Sequence, residues 1–532
     1  MKKQTFIQGT LILLAAGLIN RILGFIPRIA LPRIIGAEGV GIYQLAYPFL
    51  LVILTLITGG VPLAVSKLVA EADSRGEPKR AEQIMRTAML FTTTAGVILS
   101  GLCLLLAPWI TTYLITDKRV FNTFMMMIPI ILIVSCSTVL RGYFQGKQNM
   151  IPTATSQVTE TLVRIVTIIG CAYLMLPYGL EWGAAGAMLG VVLGEIGGLT
   201  TLAIEWFRSV KTSAKSDHLL TNDTLESSEP PVKHEWRKLL SIALPVTGGR
   251  LIGSLSYFLE SITITRSLII SGVAATAATA YYGALQGMVI PVLLLPGALT
   301  YSLAVSLVPS LSEAYGRNDM RTIHLRLHQA IRLALVSGAP FAVVMFILAL
   351  PICQLLYNDP SVAPMLRWLA PIAVFIYVQS PLQAALQALD RPGTALINTL
   401  IGAVVKIVLI VQLVSLPQLG MKGAIWAICI NTILVTVLHM ASIMRAVRIA
   451  FPWKDTFKIA VAMIIMAGIV QYVYIHLPAG SDQITLRLIS ACACGLLSYL
   501  ILLFMMKLID RDDLTRVPII KRWFKSKSQT TT

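Results

Sequence analysis

Fourteen apolar runs, each about 20 residues long and therefore long enough to cross a hydrocarbon core as a helix, leave this 532-residue chain almost no freedom in fold class. They fall at roughly 6–35, 41–68, 84–109, 121–143, 153–176 and 182–207, then 237–269, 279–311, 328–351, 365–388, 394–416 and 421–446, and last 455–477 and 485–508. With 56% hydrophobic and 13% charged residues and a mean hydropathy of +0.77, the chain belongs with polytopic membrane proteins. The expected fold is all-α with 14 transmembrane helices. It comprises an N-lobe (1–207), a polar cytoplasmic linker (208–236), a C-lobe (237–447), two additional helices (448–508) and a basic cytoplasmic tail (509–532).

The stretch Arg141–Arg164, RGYFQGKQNMIPTATSQVTETLVR, organises the first half. Gly142, Gly146, Asn149 and Pro152 mark a turn between two antiparallel spans. The returning helix carries Glu160 and Arg164, which lie four apart on one face and are placed to pair. Gln383–Lys406 occupies the same place in the second half, setting Lys406 opposite Arg164 and Gly402 opposite Glu160. AVSKLVAEADSRG at Ala64–Gly76 and AVSLVPSLSEAYG at Ala304–Gly316 repeat likewise, as do Gly183-Ala184 and Gly423-Ala424. Each half has an even number of spans, so both insert in one orientation. A parallel pseudo-twofold about the membrane normal follows, with a site expected between the six-helix lobes.

Lys and Arg number 43 against 25 Asp and Glu, a net charge of +18. In a soluble protein that balance would suggest nucleic acid, which is not an expected partner here. The basic residues crowd into loops on one side, and the other side holds only Lys118, Arg119, Arg367, Lys422 and Arg487. That bias places both termini in the cytoplasm of a multi-pass cell-membrane protein. The 7 cysteines lie in or beside apolar runs and read as packing residues. MKKQTFIQGTLILLAAGLIN imitates a signal peptide, but no small-residue cleavage site precedes Arg21, so it reads as a retained span.

Within or at the edges of the spans stand Arg21, Arg28, Arg33, Arg164, Arg250, Arg266 and Lys406, against Glu160, Glu195 and Glu260. Charges at membrane depth face a cavity or a partner. Arg33 and Arg266 are near the outer interface, where snorkelling alone would accommodate them. Arg21, Arg28 and Arg250 are deeper and are expected to line a polar cavity. Glu160, Arg164, Glu260 and Lys406 complete the expected substrate-binding set, although Glu160–Arg164 reads equally as a structural tie. Pro27 and Pro32 should bend the first span, and Pro245, Gly248 and Gly249 should loosen the seventh around Arg250. His324 and His328 have metal-ligand spacing but no third ligand nearby, so neither metal nor cofactor is expected. Membrane lipids are expected partners, with the tail LTRVPIIKRWFKSK resting on anionic headgroups.

The motifs GTLILLAAG, NRILGF, IIGAEGVGIY, KLVAEA, LRGYFQGKQNM, YGLEWGAAGAM, SLVPSLSEA and SPLQAALQAL identify a resemblance running from about residue 4 to 510. The chain resembles the stage V sporulation protein B-like family, in the polysaccharide-biosynthesis and lipid flippase branch of the multidrug/oligosaccharidyl-lipid/polysaccharide exporter superfamily. The resemblance implies a two-lobed, 14-helix fold related to the lipid II flippases. It also implies export of a lipid II-like, undecaprenyl-diphosphate-linked saccharide for spore cortex peptidoglycan. The shared R-x-L-G-F element carries Arg21 over as a cavity arginine. Where those flippases have a second arginine six residues later, this chain has Pro27, with Arg28 next. Their sodium-site carboxylates find no match.

The leading expectation is a flippase working by alternating access, with a cationic cavity replacing the hydration of a diphosphate headgroup. A cation-coupled multidrug exporter is the alternative, though binding cationic drugs calls for buried carboxylates in surplus. A glycosyltransferase or polymerase would need catalytic carboxylates or His in sizeable outer loops, which are short here, so no enzyme is expected. A non-transporting scaffold that partners cell-wall synthesis proteins remains open; it requires the buried arginines to be replaceable.

Overall fold

Backbone groups in hydrocarbon have no water to bond, and the chain answers with helices throughout. The structure, a computed structural model, describes residues 6–217, 235–477 and 483–508, with no strand among them. The first half holds α1 (Phe6–Leu23), α2 (Phe25–Thr58), α3 (Val61–Ser74), α4 (Pro78–Trp109), α5 (Val120–Gly146), α6 (Ile151–Met175) and α7 (Leu180–Asp217). Then come α8 (Glu235–Ile270), α9 (Ala275–Gly283), a π-helical turn (Ala284–Val289), α10 (Ile290–Leu294), α11 (Gly297–Gly316) and α12 (Met320–Ile347). The rest is α13 (Ala349–Tyr357), α14 (Ala363–Leu369), α15 (Ala373–Ala388), α16 (Pro392–Val414), α17 (Met421–Val447), α18 (Trp453–His476) and α19 (Ile484–Met505).

Among the described residues, thirteen stretches are long and apolar enough to cross a membrane. The first, Leu11–Ser74, is 64 residues long and crosses twice, because Gly36 (φ 65°, ψ 178°) breaks α2 where the chain turns back. The total is the expected 14 spans. The first span is interrupted at Gly24, one turn before Pro27. Pro27 lacks the N–H that would bond the Leu23 carbonyl, so α1 stops there. The break lies between Arg21 and Arg28. α8 runs as one helix through Pro245, Gly248 and Gly249.

The internal repeat is written in the turns. Left-handed backbone recurs at or near corresponding turns in the two halves: Gly36 and Gly272 (φ 65° and 94°), Gly76 and Asn318 (70° and 54°), Gln148 and Asp390 (55° and 58°), Gly179 and Gly420 (129° and 46°). These residues end helices by reversing the chain, a conformation that glycine, asparagine and aspartate enter most readily. The linker expected over 208–236 is narrower than read. No Pro or Gly interrupts Arg208–Asp217, so α7 continues to Asp217 and α8 opens at Glu235; 218–234 and the tail 509–532 lie outside the described residues.

Residues Met1–Pro291 and Ile407–Ala424 form one compact unit, and Val292–Lys406 with Ile425–Thr532 form another. In the first, α6 and α7 pack along a glycine face. A Cβ on Gly186 would lie 2.4 Å from the Cys171 carbonyl oxygen, and one on Gly190 would lie 2.4 Å from Ile168 backbone. Ser156 Oγ donates to the Gly198 carbonyl at 3.0 Å and Thr167 Oγ1 to the Gly190 carbonyl at 2.7 Å. Small residues that admit close backbones, tied by hydroxyl donors, are how helices associate where burial from water offers little. α8 and α9 join this unit by the same device. Gly41 faces Thr279, Gly60 faces Ala243, and the Gly60 N–H donates to Thr247 Oγ1 at 3.0 Å.

In the second unit α11, α12, α15, α18 and α19 share an apolar core. Its buried tyrosines give their hydroxyls to backbone: Tyr377 to Leu293 at 2.8 Å and Tyr499 to Val336 at 3.1 Å.

At the turn that precedes α5 in the first unit, Arg119 Nη1 donates to Glu38 Oε1 at 2.6 Å and Nη2 to Asp117 Oδ2 at 2.8 Å. Thr279 Oγ1 donates to Asp117 Oδ2 at 2.9 Å. Burial alone would raise the Asp117 carboxyl, but hydrogen bonds from Arg119 and Thr279 hold it below the ordinary aspartate range. A depressed carboxylate stabilises the fold above its unfolded pKa, about 3.9, and that contribution fades as pH falls through the lower folded value. Thermal unfolding in detergent should therefore show a steeper loss of stability below about pH 4 for the native chain than for Asp117→Asn.

Candidate functional site

The polar heart of the first unit is a four-charge cluster from three adjacent spans. Arg164 Nη2 bonds Glu160 Oε1 within α6 and reaches Glu195 Oε1 on α7 at 2.9 Å. Arg141 Nη2 of α5 donates to the other Glu160 oxygen at 2.6 Å. The helical spacing of Glu160 and Arg164 makes the first contact, and the glycine face of α7 makes the second. A Cβ on Gly194 would lie 2.7 Å from Arg164 Cβ, and one on Gly198 would lie 3.0 Å from Glu160 Cβ. The carboxylates are nearly enclosed, with side chains 12% and 13% exposed. Two arginines and two glutamates balance. The Nε–H of each arginine has no hydrogen-bond partner, which leaves spare donor capacity.

A second polar group surrounds the junction of α2, α8 and the π-helical turn. Tyr43 and Tyr47, one turn apart on α2, stack with ring centroids 6.3 Å apart and planes at 21°. Phe49 packs edge-on against Phe258 at 5.6 Å, bringing α2 and α8 together. Glu260 is buried at 6% exposure and accepts from Gln286 Nε2 at 3.5 Å. Arg28 lies within electrostatic reach of Tyr43 and Tyr257, Arg164 within reach of Tyr43, and Glu260 within reach of Tyr257. Both clusters thus meet at α2.

Arg250 belongs to the same side of α8. At 100° per residue, Gly249, Arg250, Gly253, Tyr257 and Glu260 fall within about 100° of arc. A Cβ on Gly249 or Gly253 would meet nothing within 4 Å, so the face is open around Arg250. Arg21, Arg28 and Arg250 are all exposed. No carboxylate forms an ion pair with Arg28 or Arg250 among the described residues.

The structure therefore gathers Arg28, Glu160, Arg164 and Glu260 into linked clusters and sets Arg250 on the face that carries Glu260. Arg21 precedes the Gly24 break on α1. Lys406 is half-buried on α16 in the second unit. Arg266 does more than reach the interface: its guanidinium donates to the Tyr113 and Leu114 carbonyls at the end of the fourth helix, the latter at 3.3 Å. His324 Nε2 lies 2.6 Å from the Val447 carbonyl and His328 Nδ1 lies 3.0 Å from the His324 carbonyl. No group of three His, Cys, Asp or Glu is placed to hold a metal among the described residues.

Sequence reasoning missed Arg141, which it placed with the cytoplasmic turn, and it left Glu195 outside the site. The signal for both was the row of small residues in α7, which brings whatever it carries against α6. Tyr43, Tyr47, Tyr257 and Gln286 carry no charge and gave no warning.

Removing Glu160 alone leaves two buried guanidiniums short of a partner. Glu160→Gln should therefore destabilise the protein by about 3 kcal/mol, read as a lower unfolding midpoint in detergent. Adding Arg141→Gln should recover a measurable part of that loss.

The comparisons bear on this architecture as a whole. The family model described as "Polysaccharide biosynthesis protein" matches residues 6–315, and the MatE model matches residues 251–411. Stage V sporulation protein B of Bacillus subtilis (strain 168) is 40% identical over 523 residues, covering 98% of this chain and 99% of the relative. Lipid II flippase MurJ of the same organism is 26% identical, covering 93% and 94%. Among solved structures, lipid II flippase MurJ in an inward closed conformation aligns with a TM-score of 0.65 over 93% of this chain and 99% of that one, at 17% identity. Both MurJ matches are named flippases rather than enzymes. The chain belongs to the polysaccharide biosynthesis protein family, as a fourteen-span membrane protein similar to stage V sporulation protein B.

Proposed function

We propose that this protein moves a lipid-linked, diphosphate-bearing saccharide across the cytoplasmic membrane, with both termini in the cytoplasm. One observation carries the reading: Arg28 and Arg250 stand at membrane depth without paired carboxylates, beside a cluster whose own charges balance. Unpaired cations inside a span are costly unless they serve an anion. A guanidinium fork grips phosphate oxygens bidentately and so replaces their lost hydration. Arg21, on the shared R-x-L-G-F element, is assigned to the same task.

Alternating access gives the membrane potential a part in both strokes. At about 2.3 kcal/mol per charge per 100 mV, outward passage of a diphosphate is downhill in an inside-negative cell. Return of the empty, net-positive site is downhill too. The relatives named for sporulation and for lipid II support a cell-wall precursor, with spore cortex peptidoglycan as the proposed destination. Glu160 and Lys406 are assigned supporting roles: Glu160 as the counter-ion that Arg164 partly leaves when the headgroup arrives, Lys406 as its charged equivalent in the second half.

Arg21→Ala and Arg250→Ala should each abolish transfer of a fluorescent polyprenyl-diphosphate lipid between liposome leaflets while membrane abundance stays near normal. Lys at either position should restore only part of the rate. Full transfer by both Ala variants overturns the cationic site.

Orientation is tested separately. In a cysteine-free background, Lys118→Cys should label from outside intact cells, and Ser312→Cys only after permeabilisation. A reversed pattern excludes outward export by this geometry.

A further inference from the structure

The four-charge cluster balances only while its members stay together. Arg141 and Arg164 bring two positive charges, Glu160 and Glu195 two negative ones. Among the described residues Arg164 is the one cation paired with Glu195. It is also the member a ligand can reach, with its side chain 30% exposed against 12% and 13% for the carboxylates. When Arg164 turns to an anionic headgroup, Arg141 is left facing two carboxylates. One negative charge is then unanswered at membrane depth, which is costly.

The geometry offers a remedy. Glu160 Oε1 and Glu195 Oε1 both take the same nitrogen, Nη2 of Arg164, and the two carboxyl groups lie within hydrogen-bonding reach of each other. Ionised carboxylates are acceptors only, so a bond between them requires a proton. Two carboxylates held this close share one once their cation leaves. α7 lies directly against the pair: a Cβ on Gly198 would stand 3.3 Å from Glu160 Oε2. The other groups facing it are few. From α5, Arg141 holds Glu160 Oε2 at 2.6 Å. From α2, the Tyr43 and Tyr47 phenols lie within electrostatic reach of Arg164. The helix α1, which also packs on α6, carries Arg21.

We propose that Glu160 and Glu195 form a proton-binding site linked to headgroup binding: as Arg164 moves onto the anion, the two carboxylates take up one proton from water and share it. The step balances. The pair falls from two negative charges to one, and Arg141 neutralises what remains. Loss of the proton restores both carboxylates, which recapture Arg164 and release the headgroup. Linkage is reciprocal, so acid tightens headgroup binding and headgroup binding draws in a proton. This inference rests on the flippase reading above and adds the proton to it.

Binding of a polyprenyl-diphosphate N-acetylhexosamine to the full chain in nanodiscs is measured as a function of pH. The diphosphate of this probe is a diester whose charge is constant through the neutral range, so a pH dependence belongs to the protein. Native affinity should rise as pH falls, approaching about 10-fold per pH unit where a full proton is taken up. In weak buffer a pH-indicator dye should report uptake approaching about one proton per bound probe, and infrared difference spectra should gain a protonated carboxyl band. Glu195→Gln places an N–H against Glu160 in permanent substitution for the shared proton. It should bind at the native acid-limit affinity at every pH, with no uptake and no new band. Glu195→Asp, which keeps the charge, should keep the pH dependence. The uptake and the carboxyl band are read on the native protein, so they decide the matter even where a variant fails to fold. Native binding that is independent of pH and takes up no proton overturns the proton site while sparing the flippase. Undiminished uptake by Glu195→Gln places the proton elsewhere and overturns the site too. Failure of the native protein to bind the probe at any pH overturns the flippase reading and the proton site with it.

Discussion

One guanidinium shared by two carboxylates, Arg164 between Glu160 and Glu195, is the interaction on which the first unit depends. Each of these ions alone would be expensive away from water. Together with Arg141 they balance, and each is held by another already in place. The arrangement exists only because α7 has glycine where it crosses α6. A side chain at Gly190 or Gly194 would push the helices apart and carry Glu195 away from Arg164. Backbone approach and charge balance are therefore one constraint. A buried ion network of this kind is weak as a source of net stability but strict about geometry, since removing one member strands the rest.

That balance separates two kinds of arginine. Arg141 and Arg164 are answered by glutamates and tie spans together. Arg28 and Arg250 are exposed at membrane depth and are not so answered. The difference shapes the proposed chemistry: a diphosphate meets the second kind first and draws on Arg164 only in competition with Glu160. Tyr43 lies within electrostatic reach of both Arg28 and Arg164.

The two halves repeat their turns but not this network. At Gly402, the counterpart of Glu160, a Cβ would lie 2.2 Å from Val435 Cγ2 and 2.6 Å from Asn431 Oδ1. The space a carboxylate would need at this position is already filled. The second unit has neutral polar contacts near this place: Asn398 Nδ2 lies 3.2 Å from His439 Nδ1 and donates to Ser442 Oγ at 3.0 Å.

Some of this was determined by sequence alone. Apolar length dictates helices, because lipid offers the backbone no other partner. The repeat was legible in matching stretches such as Ala64–Gly76 and Ala304–Gly316, and the structure adds left-handed turns at Gln148 and Asp390. The Glu160–Arg164 contact followed from helical spacing, which is local. What only tertiary structure decided was which side chains from separate spans converge. Arg141 and Glu160 are 19 residues apart across a turn, Arg164 and Glu195 are 31 apart, and Gln286 and Glu260 are 26 apart. Their meeting depends on how closely helices approach and at what rotation. Glycine faces and π-helical turns set both quantities, and neither leaves a periodic mark in the sequence.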